Sequence, residues 1–243
     1  MDVAGRVALV TGGATRVGRA ISLGLASAGA DVFVHYNSSA GPADELVAEI
    51  ESMGLNAAAG QAHLGDLDAA ETLIDEVAAA LGPPSILINS ASGFPTDTIT
   101  DVTPKDFRET IDVTLGAAVF LTKAMALTLP ETTEGAVVNV SDVRTARPYH
   151  DHLSYILAKG GLDTFTLAAA ASLAPRIRVN AVALGVILPP PGEDDDYVAE
   201  LAAALPLERA GGTAPVVDAV MHLVQNHFIT GEIVRINGGG HLV

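Results

Sequence analysis

The chain has 243 residues, 49% of them hydrophobic and 17% charged, with a formal net charge of −16. That length holds one large domain with an ample core, and the composition excludes a disordered chain. The acidity leaves no basic footprint for nucleic acid, and zero cysteines exclude disulfides, cysteine–metal sites and thiol catalysis.

Strand-like and helix-like patterns alternate from end to end, with no internal repeat or linker. Met1–Gly5 leads into an apolar strand, Arg6–Thr11, without a basic region or a signal-like core. Helical periodicity over Arg16–Ala28 ends at Gly29. Asp31–Tyr36 is a second strand, followed by a helix over Pro42–Met53. A weak third strand near Ala57–Leu64 precedes a helix over Ala69–Leu81. Ser85–Asn89 is the fourth strand, and one long helix follows over Pro104–Leu129. Ala136–Val140 is the fifth strand, with a helix over Leu153–Leu173; Arg178–Ala183 and Glu232–Ile236 close the series. Continuous apolar strands alternating with helices predict a doubly wound, seven-stranded parallel α/β sheet of Rossmann type in a single domain. No apolar run is as long as a membrane span without a charge, Gly or Pro. The expectation is a cytoplasmic protein with no membrane or nucleic-acid partner.

Ligands of such sheets bind beyond the carboxyl ends of the strands. Thr11, His35, Leu64, Asn89, Asp142 and Leu184 fall at or near those ends. Thr11-Gly12-Gly13-Ala14-Thr15-Arg16-Val17-Gly18 joins the first strand to its helix, as a pyrophosphate-binding turn does. The second strand ends His35-Tyr36-Asn37-Ser38-Ser39, with no acid to grip a ribose 2′-hydroxyl. Together with Arg16 it offers donors suited to a 2′-phosphate, which predicts NADPH.

Only three lysines occur, and Lys159 stands four residues after Tyr155 in an apolar helical stretch. Residues i and i+4 share a helix face, and a nearby ammonium lowers a phenol's pKa. Tyr155 is therefore a candidate proton donor, and Asp142, at the preceding strand end, a candidate relay or cap. Phe94, in a Gly/Pro-flanked loop, either stacks on a flat substrate ring or anchors the loop into the core. Leu188–Gly212, with Pro189–Pro191 and the acidic run Glu193–Asp196, is either a cover over the site or a passive surface insertion. His150 and His152 flank Asp151 in what reads as a solvated loop, and no metal is expected.

On the Gly-rich turn, Asn89-Ser90-Ala91, Tyr155-x-x-x-Lys159, and Val179-Asn180-Ala181 with Gly185, the chain resembles the short-chain dehydrogenase/reductase family over its whole length. Arg16 in the turn, His35-Tyr36, Phe94 and Asp142 make it most similar to the pteridine reductase group. The resemblance implies that Tyr155 donates the proton, that Lys159 lowers its pKa and holds the nicotinamide ribose, and that Asp142 assists. It implies that Phe94, Asp142 and Tyr155 contact the substrate. It places cofactor contacts at Gly12, Arg16 and Val17, at His35, Tyr36, Asn37 and Ser38, at Leu64, Asn89 and Ala91, and at Gly185 and Val186.

His63 stands where the family has an adenine-contacting aspartate. Ser90 replaces an asparagine, Thr114 the active-site asparagine of the middle helix, Leu184 a proline, and Leu188 a threonine. The reading is an NADPH-dependent reductase acting on a C=O or C=N bond of a pterin-like small molecule. A 3-oxoacyl thioester or general ketone reductase, and a catalytically weak dinucleotide-binding protein, are the alternatives. Wide apolar faces on Pro104–Leu129 and Leu153–Leu173 predict a homotetramer.

Overall fold

Seven parallel strands form one sheet in the order β3-β2-β1-β4-β5-β6-β7 in the computed structural model, which describes residues 1–190, 192 and 194–243. The strands are β1 (Val7–Val10), β2 (Asp31–Tyr36), β3 (Ala57–Gln61), β4 (Ile86–Asn89), β5 (Gly135–Asp142), β6 (Ile177–Leu184) and β7 (Ile233–Ile236). The helices are α1 (Arg16–Ser27), α2 (Ala40–Ser52), α3 (Leu67–Leu81), α4 (Pro104–Ile111), α5 (Ala117–Thr128), α6 (Leu153–Leu173), α7 (Asp195–Ala203) and α8 (Ala214–Gln225).

Alternation along each central strand divides the core in two, because successive side chains point to opposite faces. Ala8, Val10, Ile86, Ile88, Ala136 and Val138 join Ile21, Leu25, Val220 and Leu223 of α1 and α8 on one face. Leu9, Leu87 and Val137 join Leu73, Val77, Leu121 and Met125 of α3 and α5 on the other. Each fully buried Leu or Ile contributes about 1.5–3 kcal/mol over leaving it exposed.

Local signals fix several helix starts. Asp66 accepts from the backbone N–H groups of Asp68 (3.1 Å) and Ala69 (3.3 Å) at the start of α3. Thr103 and Asp106 cap α4 together, with Pro104 at its first turn.

Two features go beyond the expected elements. The long helix is continuous over Pro104–Thr128 but takes a π-helical form at Asp112–Gly116, between α4 and α5; its i→i+5 bonding is not coded by apolar spacing. Pro104–Thr128 is long and apolar enough to cross a membrane, yet it packs on α3 and α6 against the sheet. And α8 is an additional helix, buried through Val216, Val220, Leu223 and Val224. Its i, i+4, i+7, i+8 spacing after Thr213-Ala-Pro215 was the available signal.

Candidate active site

The strand order reverses between the paired β1 and β4, the switch point where crossovers run to opposite sides. A cavity of about 300 Å³ opens there, walled by the β1–α1 turn, Tyr36–Ser39 after β2 and Ser90–Ser92 after β4. The turn is packed to backbone contact. A Cβ on Gly18 would lie 2.1 Å from the Gly12 carbonyl oxygen, and Gly12 sits at φ +60°, with Ala91 Cα 3.2 Å from where its Cβ would be. Arg16 takes the left-handed conformation at φ 54°. It stands where a glycine is expected and adopts a glycine's backbone, a strain of roughly 1–2 kcal/mol.

Several residues expected to hold a cofactor sit differently. His35 is 2% exposed, and both of its ring nitrogens are engaged. Nδ1 accepts from the Gly12 N–H at 3.1 Å, so Nε2 carries the proton and donates to the Ala62 carbonyl at 3.0 Å. Burial holds its pKa below the usual histidine value, so the ring is neutral. His35 therefore fixes the glycine turn and has no donor left for a phosphate. Leu64 is buried in the core with its side chain away from the cavity, and His63 faces Glu109 at 3.4 Å. The Arg16 guanidinium donates to the Pro189 carbonyl at 2.6 Å, bridging the turn to the stretch after β6. Gly12, Val17, Tyr36, Asn37, Ser38 and Ala91 do line the cavity. Asn89 lies beneath, donating to Asn139 Oδ1 at 2.8 Å, and Asn139 donates to Thr166 of α6 at 2.9 Å.

At the β5 end the Tyr155 hydroxyl donates to Asp142 Oδ2 at 2.8 Å. Asp142 Oδ1 accepts from the Arg144 backbone N–H at 2.7 Å. Lys159 is 3% exposed and donates to the Val140 carbonyl at 2.6 Å. Burial brings its pKa down to about 8 against the opposing charges of Asp142 and Asp163. Burial also raises Asp142, against the Arg144 N–H, the Tyr155 hydroxyl and the Lys159 and Arg144 charges. The expected lowering of the Tyr155 pKa by Lys159 is reversed: burial and then the Asp142 carboxylate push the phenol up. The pair is a neutral phenol donating to a carboxylate whose proton affinity burial raises.

Thr114 lies on the π-helical segment, 2% exposed, with its hydroxyl 3.1 Å from that of Ser92 on the wall of the first cavity. Asp97 ties the Phe94 loop to the Tyr155 helix. Its Oδ1 accepts from the Ser154 N–H at 3.0 Å, its Oδ2 from the Ser154 hydroxyl, and Leu153 N–H donates to its carbonyl at 3.1 Å.

A second cavity of about 500 Å³ lies between the Phe94 loop, residues 143–152, Gly185–Leu188 and α7. Phe94 is 44% exposed in its wall rather than anchored in the core. Its ring stands edge-on to Tyr155 (centroids 4.7 Å, 88°) and stacks on His152 (3.8 Å, 21°). His152, expected in a solvated loop, instead donates from Nδ1 to the Pro95 carbonyl at 2.7 Å and has a packed ring. Tyr149 was missed. Burial and the Asp142 charge raise its pKa, and the Arg144 guanidinium covers its ring at 4.8 Å. The chain has four tyrosines and no tryptophan. Tyr36 lines the first cavity, Tyr149 and Tyr197 the second, and Tyr155 touches Phe94 at its wall. That scarcity of large polar aromatics was the legible signal. The Leu188–Gly212 stretch supplies Leu188, Pro190, Tyr197, Val198, Leu201 and Leu205 to this wall. It thus forms one side of the cavity; Pro191 and Glu193 of the same stretch lie outside the described residues. Gly185 and Val186 line this second cavity and not the first.

The first cavity suits a dinucleotide: its wall is a close-packed glycine turn at a helix N-terminus, and Asn37, Ser38 and Ser39 add polar donors without an acid. Residues 12–241 match the family described as Enoyl-(Acyl carrier protein) reductase. A 3-oxoacyl-[acyl-carrier-protein] reductase, FabG, of Staphylococcus aureus is 32% identical, over 97% of this chain and 98% of its own. The structure of FolM alternative dihydrofolate reductase 1 from Brucella canis, complexed with NADP, superposes with a TM-score of 0.95 at 35% identity, covering 100% of this chain and 96% of that one. A short chain dehydrogenase from Burkholderia cenocepacia, in complex with NADP, gives a TM-score of 0.91 at 31% identity, covering 99% and 100%. With the glycine turn, the switch-point cavity and the Tyr155–Lys159 helix in place, the chain belongs to the short-chain dehydrogenase/reductase family of oxidoreductases.

Proposed function

We propose that the protein is an NADPH-dependent reductase that completes reduction of a C=N or C=O bond in a flat, pterin-like heterocycle. The Tyr155–Asp142 hydrogen bond carries this reading, because a carboxyl partner extends the proton path beyond a single hydroxyl. NADP as the cofactor agrees with its presence in the related structures. When bound, it supplies the hydride. The turn from Gly12 to Gly18 would hold its pyrophosphate, and Tyr36, Asn37 and Ser38 its adenine ribose end. Arg16 would take a 2′-phosphate after leaving the Pro189 carbonyl. Lys159, anchored on the Val140 carbonyl, would hold the nicotinamide ribose.

Tyr155, kept neutral by burial and by Asp142, holds the proton for the substrate atom that gains negative charge. Asp142, whose carboxylate accepts the Tyr155 hydrogen bond, would relay a proton taken up from solvent back to Tyr155 or on to a ring nitrogen. Phe94 and Tyr149 supply flat faces beside this pair, and α7 closes the opposite wall. We place the enzyme in the cytoplasm. Exposed Leu157 and Leu167 on α6 and Leu127 on α5 support a homotetramer.

A 3-oxoacyl thioester reductase is the second reading, favoured by the 32% identity to the S. aureus enzyme. NADPH oxidation with dihydrobiopterin, acetoacetyl thioester and a simple ketone separates the two. Asp142→Ser should reduce pterin turnover about tenfold more than ketone turnover, since a hydroxyl is a poor relay to a ring nitrogen. Equal losses on both substrates would remove the pterin reading.

A further inference from the structure

We propose that a chamber beside the catalytic pair binds an anionic group on the substrate's side chain, a carboxylate or a phosphate. This rests on the reductase reading above and names the charge of the substrate it takes. The chamber measures about 640 Å³, and Arg144, Arg147, Arg235 and His241 line it. It shares Val143, Arg144, Leu205, Asn237 and Gly240 with the substrate cavity, so the two adjoin across these residues. A substituent on a ring against Phe94 would be directed toward it.

The chain has 13 lysines and arginines against 29 acids. Three of those thirteen line this one chamber, and among the described residues no aspartate or glutamate side chain does. They arrive from two separate segments, the stretch after β5 and strand β7. Among the described residues, none of the three arginines forms an ion pair with an acidic side chain, whereas Arg19 pairs with Glu49 and Lys123 with Glu71. Arg144 rests on the Tyr149 ring, Arg147 is held by an oxygen of Val243, the last residue of the sequence and itself part of the lining, and Arg235 is exposed on its strand. A second observation points the same way. Asn237, on the wall common to both cavities, is 7% exposed and its amide nitrogen has no partner. Guanidinium groups suit planar, two-point recognition of carboxylate and phosphate. In so acidic a protein, this cluster also offsets the repulsion an anionic substrate would meet on approach.

The test uses the full chain, NADPH and two matched pairs of substrates. Dihydrobiopterin is the neutral partner of dihydrofolate, whose tail carries carboxylates. Acetoacetyl-N-acetylcysteamine is the neutral partner of acetoacetyl coenzyme A, which carries phosphates. The anionic member of the pair that turns over should have a kcat/KM about tenfold higher. That advantage should shrink between about 0.05 M and about 0.5 M salt. Arg147→Ala combined with Arg235→Glu should abolish it, and Arg235→Lys should keep most of it. Calorimetric titration of the NADP⁺-loaded protein with all four compounds gives the same comparison where turnover is absent. Equal affinity for both members, or an advantage that survives salt and the double substitution, overturns the proposal. So does a double variant that changes only the mass in light scattering, which would make the chamber a subunit contact. If only the thioester pair turns over, the heterocycle reading falls and the anion preference is still read from that pair.

Discussion

At the β1 end of the sheet's carboxyl edge the cavity wall is largely backbone, whereas at the β5 end it is largely side chain. The nucleotide end depends on close approaches: Gly18 to the Gly12 carbonyl, Gly12 to Ala91, and the Gly12 N–H to the buried His35 ring. The substrate end depends on rings and charges brought from four stretches: Phe94 after β4, Tyr149 and His152 after β5, Tyr155 and Lys159 on α6, and Tyr197 on α7. Backbone cradles suit a constant ligand, since they tolerate little change. Side-chain walls can be re-cut without moving the fold.

Four experiments break or sharpen this comparison. Tyr155→Phe should have the largest effect, a loss of about 10²–10⁴-fold in kcat/KM with cofactor affinity nearly unchanged. Retention of more than about a tenth of the activity, a loss under ~1.4 kcal/mol, would show that Tyr155 is not the acid.

Gly18→Ala should act on the other end. Its Cβ meets backbone at 2.1 Å, so the turn must shift. We expect a stability loss of about 1–3 kcal/mol, seen as a lowered Tm, together with weaker NADPH binding by calorimetry. An unchanged Tm and affinity would mean that the turn is not held by this contact.

The two ends should also separate by pH. Lys159 loses its ammonium charge as pH rises through about 8. The kcat/KM for reduction should therefore fall on the alkaline side. His35 works at the acid side. Its folded pKa lies below the unfolded value, so the unfolded chain binds more protons between the two. Its stabilising contribution is complete above about 6.5 and is lost as pH falls through the folded pKa. Chemical denaturation between about pH 7 and 5 checks this; His35→Leu should flatten that slope and leave the alkaline limb of the rate profile in place.

Phe94→Ala should have the smallest effect, about 0.5–1.5 kcal/mol in kcat/KM for a planar heterocycle and less for a small ketone. Equal losses would make Phe94 a support for Tyr155 and not a substrate wall.

The sequence by itself determined the sheet, because continuous apolar strands need helices on both faces, and that periodicity is local. It also determined the glycine turn and the Tyr155–Lys159 spacing, since one helix turn brings those residues to one face. Chain order placed His35 at a strand end, but only packing decided that both ring nitrogens are spent on Gly12 and Ala62. The sign of the Tyr155 shift was likewise tertiary. It depends on burial and on a carboxylate thirteen residues away, and the Lys159 ammonium that the spacing makes visible sits over the ring, 5.6 Å from its centroid, without lowering it. The π-helical segment, the Asp97 tie to α6 and the arginine chamber were hidden for the same reason. Each depends on groups far apart in the chain or on a hydrogen-bond pattern that side-chain periodicity does not encode.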